Sequence, residues 1–108
     1  MNNRCYPADL SKRDQVKMKR SMTKKMSECA GSTITPEKWL IYEDLTEDGE
    51  SEQVLVIEAA GEMFGTISKT FIREFTALVD EMGEDLGDIK IITGTSKKGR
   101  DYVSCELA

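Results

Sequence analysis

The side chains best placed to act together lie in Thr95-Ser96-Lys97-Lys98-Gly99-Arg100-Asp101-Tyr102. Three cations fall within four residues, two hydroxyls precede them, and Gly99 permits a tight turn with positive φ. Cations at this spacing neutralise phosphates, with the salt dependence that counterion release imposes. Tyr102 follows at once and offers a ring on which a base can stack whatever its identity. Without a ligand the same residues make a solvated hairpin tip whose lysines discourage edge-to-edge pairing.

Other chemistry is poorly supplied. The chain has no histidine, so the commonest general base and metal ligand are missing. Serine or cysteine nucleophiles activated by histidine are excluded. Cys5, Cys29 and Cys105 are odd in number and widely spaced, which describes neither a disulfide framework nor a zinc site. They read as reduced thiols of a cytosolic protein. No carboxylate pair stands out. Thr93-Gly94-Thr95-Ser96-Lys97-Lys98-Gly99 has the composition of a phosphate loop but not its spacing, and no helix follows it. The expectation is a binding protein with no catalytic residue, no cofactor and no metal.

Further binding candidates are scattered. Trp39 and Tyr42 alternate onto opposite faces of one strand, Trp39 with Ile41 and Tyr42 with Leu40. In a one-sided sheet one of the two is left to stack on a base; in a barrel wall both are packed. Phe64 opposes Met63 and Ile67 and is a third ring for a groove. Lys69, Arg73 and Lys90 are isolated cations that can line one.

These residues need a scaffold. At 108 residues the chain fits one domain with one modest core. Its apolar content is 39 % and its charged content 32 %, so much surface is solvated. No run of 18 apolar residues occurs, so no spanning segment is expected, and the N-terminus does not read as a secretory signal. Residues 1–30 hold eight Lys/Arg and three acids, a net +5; residues 31–108 hold seven and 17, a net −10. A basic arm on an acidic body is implied, and Lys17, Arg20 and Lys24 are its candidate contacts.

Residues 1–10 read as loose. Ser11 with Asp14 resembles a capping box. Val16, Met18, Met22, Met26 and Cys29 then fall near helical spacing up to a stop at Gly31. Lys38–Tyr42 reads as a strand, Glu43–Glu52 as an acidic hairpin loop, and Gln53–Ile57 as a second strand. The continuous apolar run Val54–Ile57 implies that both of its faces are covered. Met63–Ile67 is a third strand. Ser68 caps a helix whose stripe is Phe71, Ile72, Phe75, Leu78, Val79 and Met82, closed by Gly83. Ile89–Thr93 and Asp101–Leu107 flank the basic turn, with Val103, Cys105 and Leu107 inward and Tyr102, Ser104 and Glu106 outward. The expected class is β-rich α+β, in the order α-β-β-β-α-β-β. It divides into a basic arm and helix over 1–32 and an OB-like, partly open five-stranded barrel over 33–108. An open sheet under one helix has the same order.

These segments together resemble the small single-stranded DNA-binding proteins of tailed phages that infect Gram-positive bacteria. The resemblance runs over residues 10–107. It rests on the helix closing on Gly31, the Trp39–Tyr42 strand, Glu47-Asp48-Gly49-Glu50 and the Val54–Ile57 strand. It continues through Phe64-Gly65-Thr66-Ile67-Ser68-Lys69-Thr70-Phe71 and the C-terminal run Thr95–Leu107. It implies cooperative, sequence-independent coating of single strands during phage DNA replication in the bacterial cytoplasm. Self-association and replication proteins are implied as further partners, and no membrane. It carries Lys97, Lys98, Arg100 and Tyr102 as groove residues, with Thr66 and Lys69 behind them. Three charges hold a polyanion weakly against ten net negatives, so the basic helix or a second subunit is expected to share the load. The rival reading is an acidic protein-interaction module that imitates nucleic acid and occupies a host enzyme.

Overall fold

A computed structural model describes residues 4–21 and 24–108. Strand β1 (Arg4–Tyr6) leads to helix α1 (Lys12–Arg20), strand β2 (Lys24–Lys25), a 3-10 turn at Met26–Glu28 and strand β3 (Thr33–Ile34). A meander follows: β4 (Lys38–Leu45), β5 (Ser51–Ala59) and β6 (Glu62–Thr66). Helix α2 (Lys69–Met82) and a 3-10 turn at Gly83–Asp85 lead to the hairpin β7 (Ile89–Thr95) and β8 (Asp101–Leu107). The class is mixed α+β and rich in strand, as expected.

The strands form two sheets, ordered β1-β4-β5-β6-β2 and β3-β7-β8. These sheets are not closed into a barrel. The cause lies in three short strands that the sequence did not suggest. β1 pairs antiparallel with β4, β2 pairs parallel with β6, and β3 pairs antiparallel with β7. Both edges of the meander and one edge of the hairpin are thereby occupied, and a strand edge holds only one partner. Over its described residues the segment 1–32, read as a basic arm, is woven into the sheets of 33–108.

Helix α2 forms as its sequence dictates. The Ser68 hydroxyl accepts from the Phe71 N–H at 3.2 Å, satisfying one of the orphan donors of the first turn. Phe71, Ile72 and Phe75 are buried, and Gly83 closes the helix at φ +56°. These side chains meet Trp39, Ile41, Leu55, Ile57 and Phe64 from one sheet and Ile89, Ile91, Val103 and Cys105 from the other. Trp39 stands edge-on to Phe75, centroids 5.5 Å apart. Truncating a fully enclosed ring such as Phe75 costs about 3–5 kcal/mol.

The opposite face of the large sheet is also covered. Leu40, Tyr42, Val54 and Val56 pack with Leu10 and with Met18 of α1. Val54–Ile57 is therefore buried on both sides, as its unbroken apolar run requires. Helix α1 starts where expected, with the Ser11 hydroxyl accepting from the Asp14 N–H at 3.1 Å. It ends at Arg20 rather than Gly31, because Lys24–Lys25 leaves helical geometry to pair with Phe64–Gly65. Met22 lies outside the described residues, and Met26 is buried in the core on the α2 side. Strands β4, β5 and β7 run further than expected, so the two hairpin loops shrink to Thr46–Glu50 and Ser96–Arg100.

Candidate nucleic-acid interface

The basic tip is a closed five-residue turn. The Ser96 N–H donates to the Arg100 carbonyl at 2.8 Å, and the Gly99 N–H to the Ser96 carbonyl at 2.9 Å. The Arg100 N–H donates to the Ser96 hydroxyl at 3.2 Å, and the Thr95 hydroxyl to the Asp101 carboxylate at 3.1 Å. Gly99 sits at φ +81°, a conformation costly for any residue with a Cβ. The turn is held by backbone and hydroxyls, so Lys97, Lys98 and Arg100 are not needed to build it. All three are exposed, and among the described residues none makes an ion pair.

Tyr102 stands directly opposite Gly94 on the hairpin, and its ring lies across that glycine. A Cβ at Gly94 would meet the tyrosine hydroxyl oxygen at 2.5 Å and Cζ at 2.6 Å. The missing side chain is the seat that holds the ring flat on the sheet. Tyr102 keeps 40 % of its surface exposed, which leaves it open to a planar ligand.

Arg100 and Tyr102 border an open cleft of about 1040 Å³. Its remaining wall is rich in hydroxyls from Ser27, Ser68, Thr70, Thr93, Thr95 and Ser96. The Ser68 hydroxyl also donates to the Val103 carbonyl at 3.1 Å, tying the start of α2 to β8. A second cleft of about 590 Å³ is lined by Lys24, Lys25, Tyr42 and Thr66, with Asp44 and Glu52 at its acidic end. Ser27 lines both clefts. The Thr66 hydroxyl accepts from the Ser68 N–H at 3.1 Å, so the two walls are joined by a hydrogen bond as well.

The structure thus brings Arg100 and Tyr102 into one cleft and Lys24, Tyr42 and Thr66 into its neighbour, with Lys97 and Lys98 on the tip above. Lys69 is exposed at the first turn of α2, between two cleft residues. Lys90 is exposed opposite Glu106 on the hairpin and lines neither cleft. Lys17 and Arg20 are exposed on the last turn of α1, and neither lines the two clefts.

The expected second and third stacking rings need correction. Trp39, Tyr42 and Phe64 are 5 %, 8 % and 5 % exposed. The sheet that carries them is covered on both faces, so alternation buries each of them on one side or the other. Each ring also has a cation over its face: Arg4 at 5.7 Å from Trp39, Lys19 at 4.6 Å from Tyr42 and Lys24 at 5.7 Å from Phe64. These contacts hold the N-terminal segment on the sheet and deny the ring faces to bases. Ser104 is buried rather than outward, and Leu107 is exposed rather than inward.

The Glu62 carboxylate, bonded to Lys24 at 2.9 Å, raises the lysine. Burial, then the nearby Asp44 charge, pushes the Tyr42 phenol up, so it remains neutral. Among the described residues no group of three His, Cys, Asp or Glu is placed to hold a metal, and no helix is long and apolar enough to cross a membrane.

Sequence reasoning missed Ser27, Lys25, Thr70 and Thr93. They are single hydroxyls and one cation spread along the chain, and only the fold gathers them. The Lys24-Lys25 pair was the one usable signal. No protein-family model, curated protein or solved structure matches this chain, so the two joined clefts and the basic tip are the ground on which its function is argued.

Proposed function

We propose that this chain binds single-stranded nucleic acid, single-stranded DNA in the first place, without sequence preference. The observation that carries this is the exposed ring of Tyr102, seated on Gly94 beside three cations that make no ion pair among the described residues. A stacking surface next to a basic turn is the minimal equipment for gripping a single strand: the ring takes a base and the cations track the phosphates. The hydroxyl wall adds neutral donors to phosphate and sugar oxygens, and the Ser27 junction offers a path onward to Lys24 and Lys25.

We read β4–β5–β6, α2 and β7–β8 as an OB-like order, opened by the N-terminal strands that occupy the meander edges. A role in phage DNA replication follows from the sequence resemblance. Fluorescence anisotropy of a labelled oligo-dT at low salt tests the reading. Binding that weakens with salt and fails in the double variant Lys97→Glu, Arg100→Glu is expected; no binding at low salt, or an unaffected variant, refutes it.

The rival reading, an acidic module that occupies a basic protein, is favoured by the exposed tip Thr46–Glu50. It predicts that a basic protein, and not the oligonucleotide, is retained by the immobilised chain.

A further inference from the structure

The acidic loop has the same backbone as the basic one. The Thr46 N–H donates to the Glu50 carbonyl at 2.8 Å and the Gly49 N–H to the Thr46 carbonyl at 2.9 Å, matching the two bonds at Ser96 and Gly99. Gly49 and Gly99 lie at φ +80° and +81°. Each turn begins with a hydroxyl residue and has glycine fourth. Positions two, three and five are Glu47, Asp48 and Glu50 in one, and Lys97, Lys98 and Arg100 in the other. The same three places therefore carry opposite charge on the same frame. All six side chains are exposed, and among the described residues none of them is ion-paired.

Two further observations bear on what these tips meet. Below the acidic tip, Asp44 and Glu52 stand directly opposite each other, a like-charge pair whose repulsion an incoming cation relieves. The two hairpins also border neighbouring clefts. Asp44 and Glu52 line the smaller cleft, Ser96 and Arg100 line the larger, and Ser27 belongs to both.

We propose that the two tips are the halves of one self-complementary contact. Two copies of the chain meet about a two-fold axis, the acidic tip of each lying on the basic tip of the other. A two-fold contact uses every patch twice, so a small area carries two sets of opposed charges. Exposed pairs of this kind are individually weak and screened by salt, and the tips are smaller than a standard stable interface. The dimer is accordingly weak, populated at high protein concentration and low ionic strength. A strand on the basic tip, as proposed above, and a second copy exclude one another there, so the test uses protein freed of nucleic acid.

Sedimentation velocity over a concentration series at low and high salt reads the contact directly. The unmodified chain is expected to dimerise at low salt and dissociate at high salt. The variant Glu47→Lys, Asp48→Lys, Glu50→Lys and the variant Lys97→Glu, Lys98→Glu, Arg100→Glu are each expected to be monomeric. Their equimolar mixture is expected to recover the dimer, which also shows that both are folded. A monomeric unmodified chain at every concentration, or a variant that dimerises as well as the parent, overturns the proposal. Growth into species larger than dimers overturns the two-fold arrangement.

Discussion

Thr46–Glu50 and Ser96–Arg100 close their hairpins with the same two backbone hydrogen bonds and the same left-handed glycine, yet they present opposite faces to a ligand. The divergence continues at the second pair below the tip. Where the basic hairpin sets Tyr102 against Gly94, the acidic hairpin sets Glu52 against Asp44. One frame thus ends in a ring on a glycine seat under cations, and the other in two facing carboxylates under anions. Both turns are held by those backbone bonds and the glycine, and the basic turn adds the Ser96 and Thr95 hydroxyl bonds. The remaining positions are free of structural duty, and their charge decides what each tip meets.

The largest effect is expected from reversing charge on one tip at a time. Lys97→Glu, Lys98→Glu, Arg100→Glu should weaken binding to a labelled oligo-dT about 100-fold near 0.1 M salt. It should also flatten the log–log salt slope by about 2, the share of three single-strand phosphate contacts. Glu47→Lys, Asp48→Lys, Glu50→Lys should tighten binding in the same titration; a weakening there would show that the tips do not act through charge. Next comes the pair below the tip. Tyr102→Ala should lose about 1–3 kcal/mol of binding, roughly 5- to 150-fold, while Tyr102→Phe keeps most of it. Gly94→Ala, which unseats the ring, should reproduce part of the loss. Wild-type affinity in Tyr102→Ala removes stacking from the reading.

A smaller effect tests the shared frame. Gly49→Ala and Gly99→Ala should each cost about 1–2 kcal/mol in denaturant unfolding, and only the second should also change oligonucleotide affinity. A cost at one glycine and none at the other would mean that the two turns do not share a frame.

A separate effect is alkaline. On β8, burial and then Glu74 push the Cys105 thiol from 9.0 up to about 12. The folded chain holds this proton longer than the unfolded one, so stability is full below pH 9.0 and falls as pH rises toward about 12. Tyr42, on β4 and raised from 10.0, adds a loss of the same sign beginning about one unit higher. Cys105→Ala should remove the earlier decline and Tyr42→Phe the later one, as read from unfolding midpoints across this range.

Much of the scaffold was legible because the deciding forces are local. Ser68, the stripe from Phe71 to Met82 and Gly83 specify α2 without outside help, and Val54–Ile57 announces its two covered faces. The basic turn and Tyr102 stand out for the same reason. What was not legible depends on partners far away in sequence. Met18, Met22 and Met26 fit one helical face, but the edge of β6 claims Lys24–Lys25 and ends the helix early. Whether Trp39 or Tyr42 is exposed turns on whether one face of β4 is open, and the cover on both faces of the sheet closes that choice. The hydroxyl wall has no pattern along the chain at all.

The strands that occupy the meander edges have a consequence for the order of folding. Arg4–Tyr6 pairs with residues 39–41 and Lys24–Lys25 with residues 64–65, so each must wait for a segment synthesised well after it. Closing such long loops is the slow part of folding. The meander and its helix can collapse on contacts close in sequence, and the leading segment then wraps them. Pulsed hydrogen exchange during refolding should accordingly record protection of the Leu55 amide before those of Cys5 and Lys25. These two strands are made before their partners and would find their places after them.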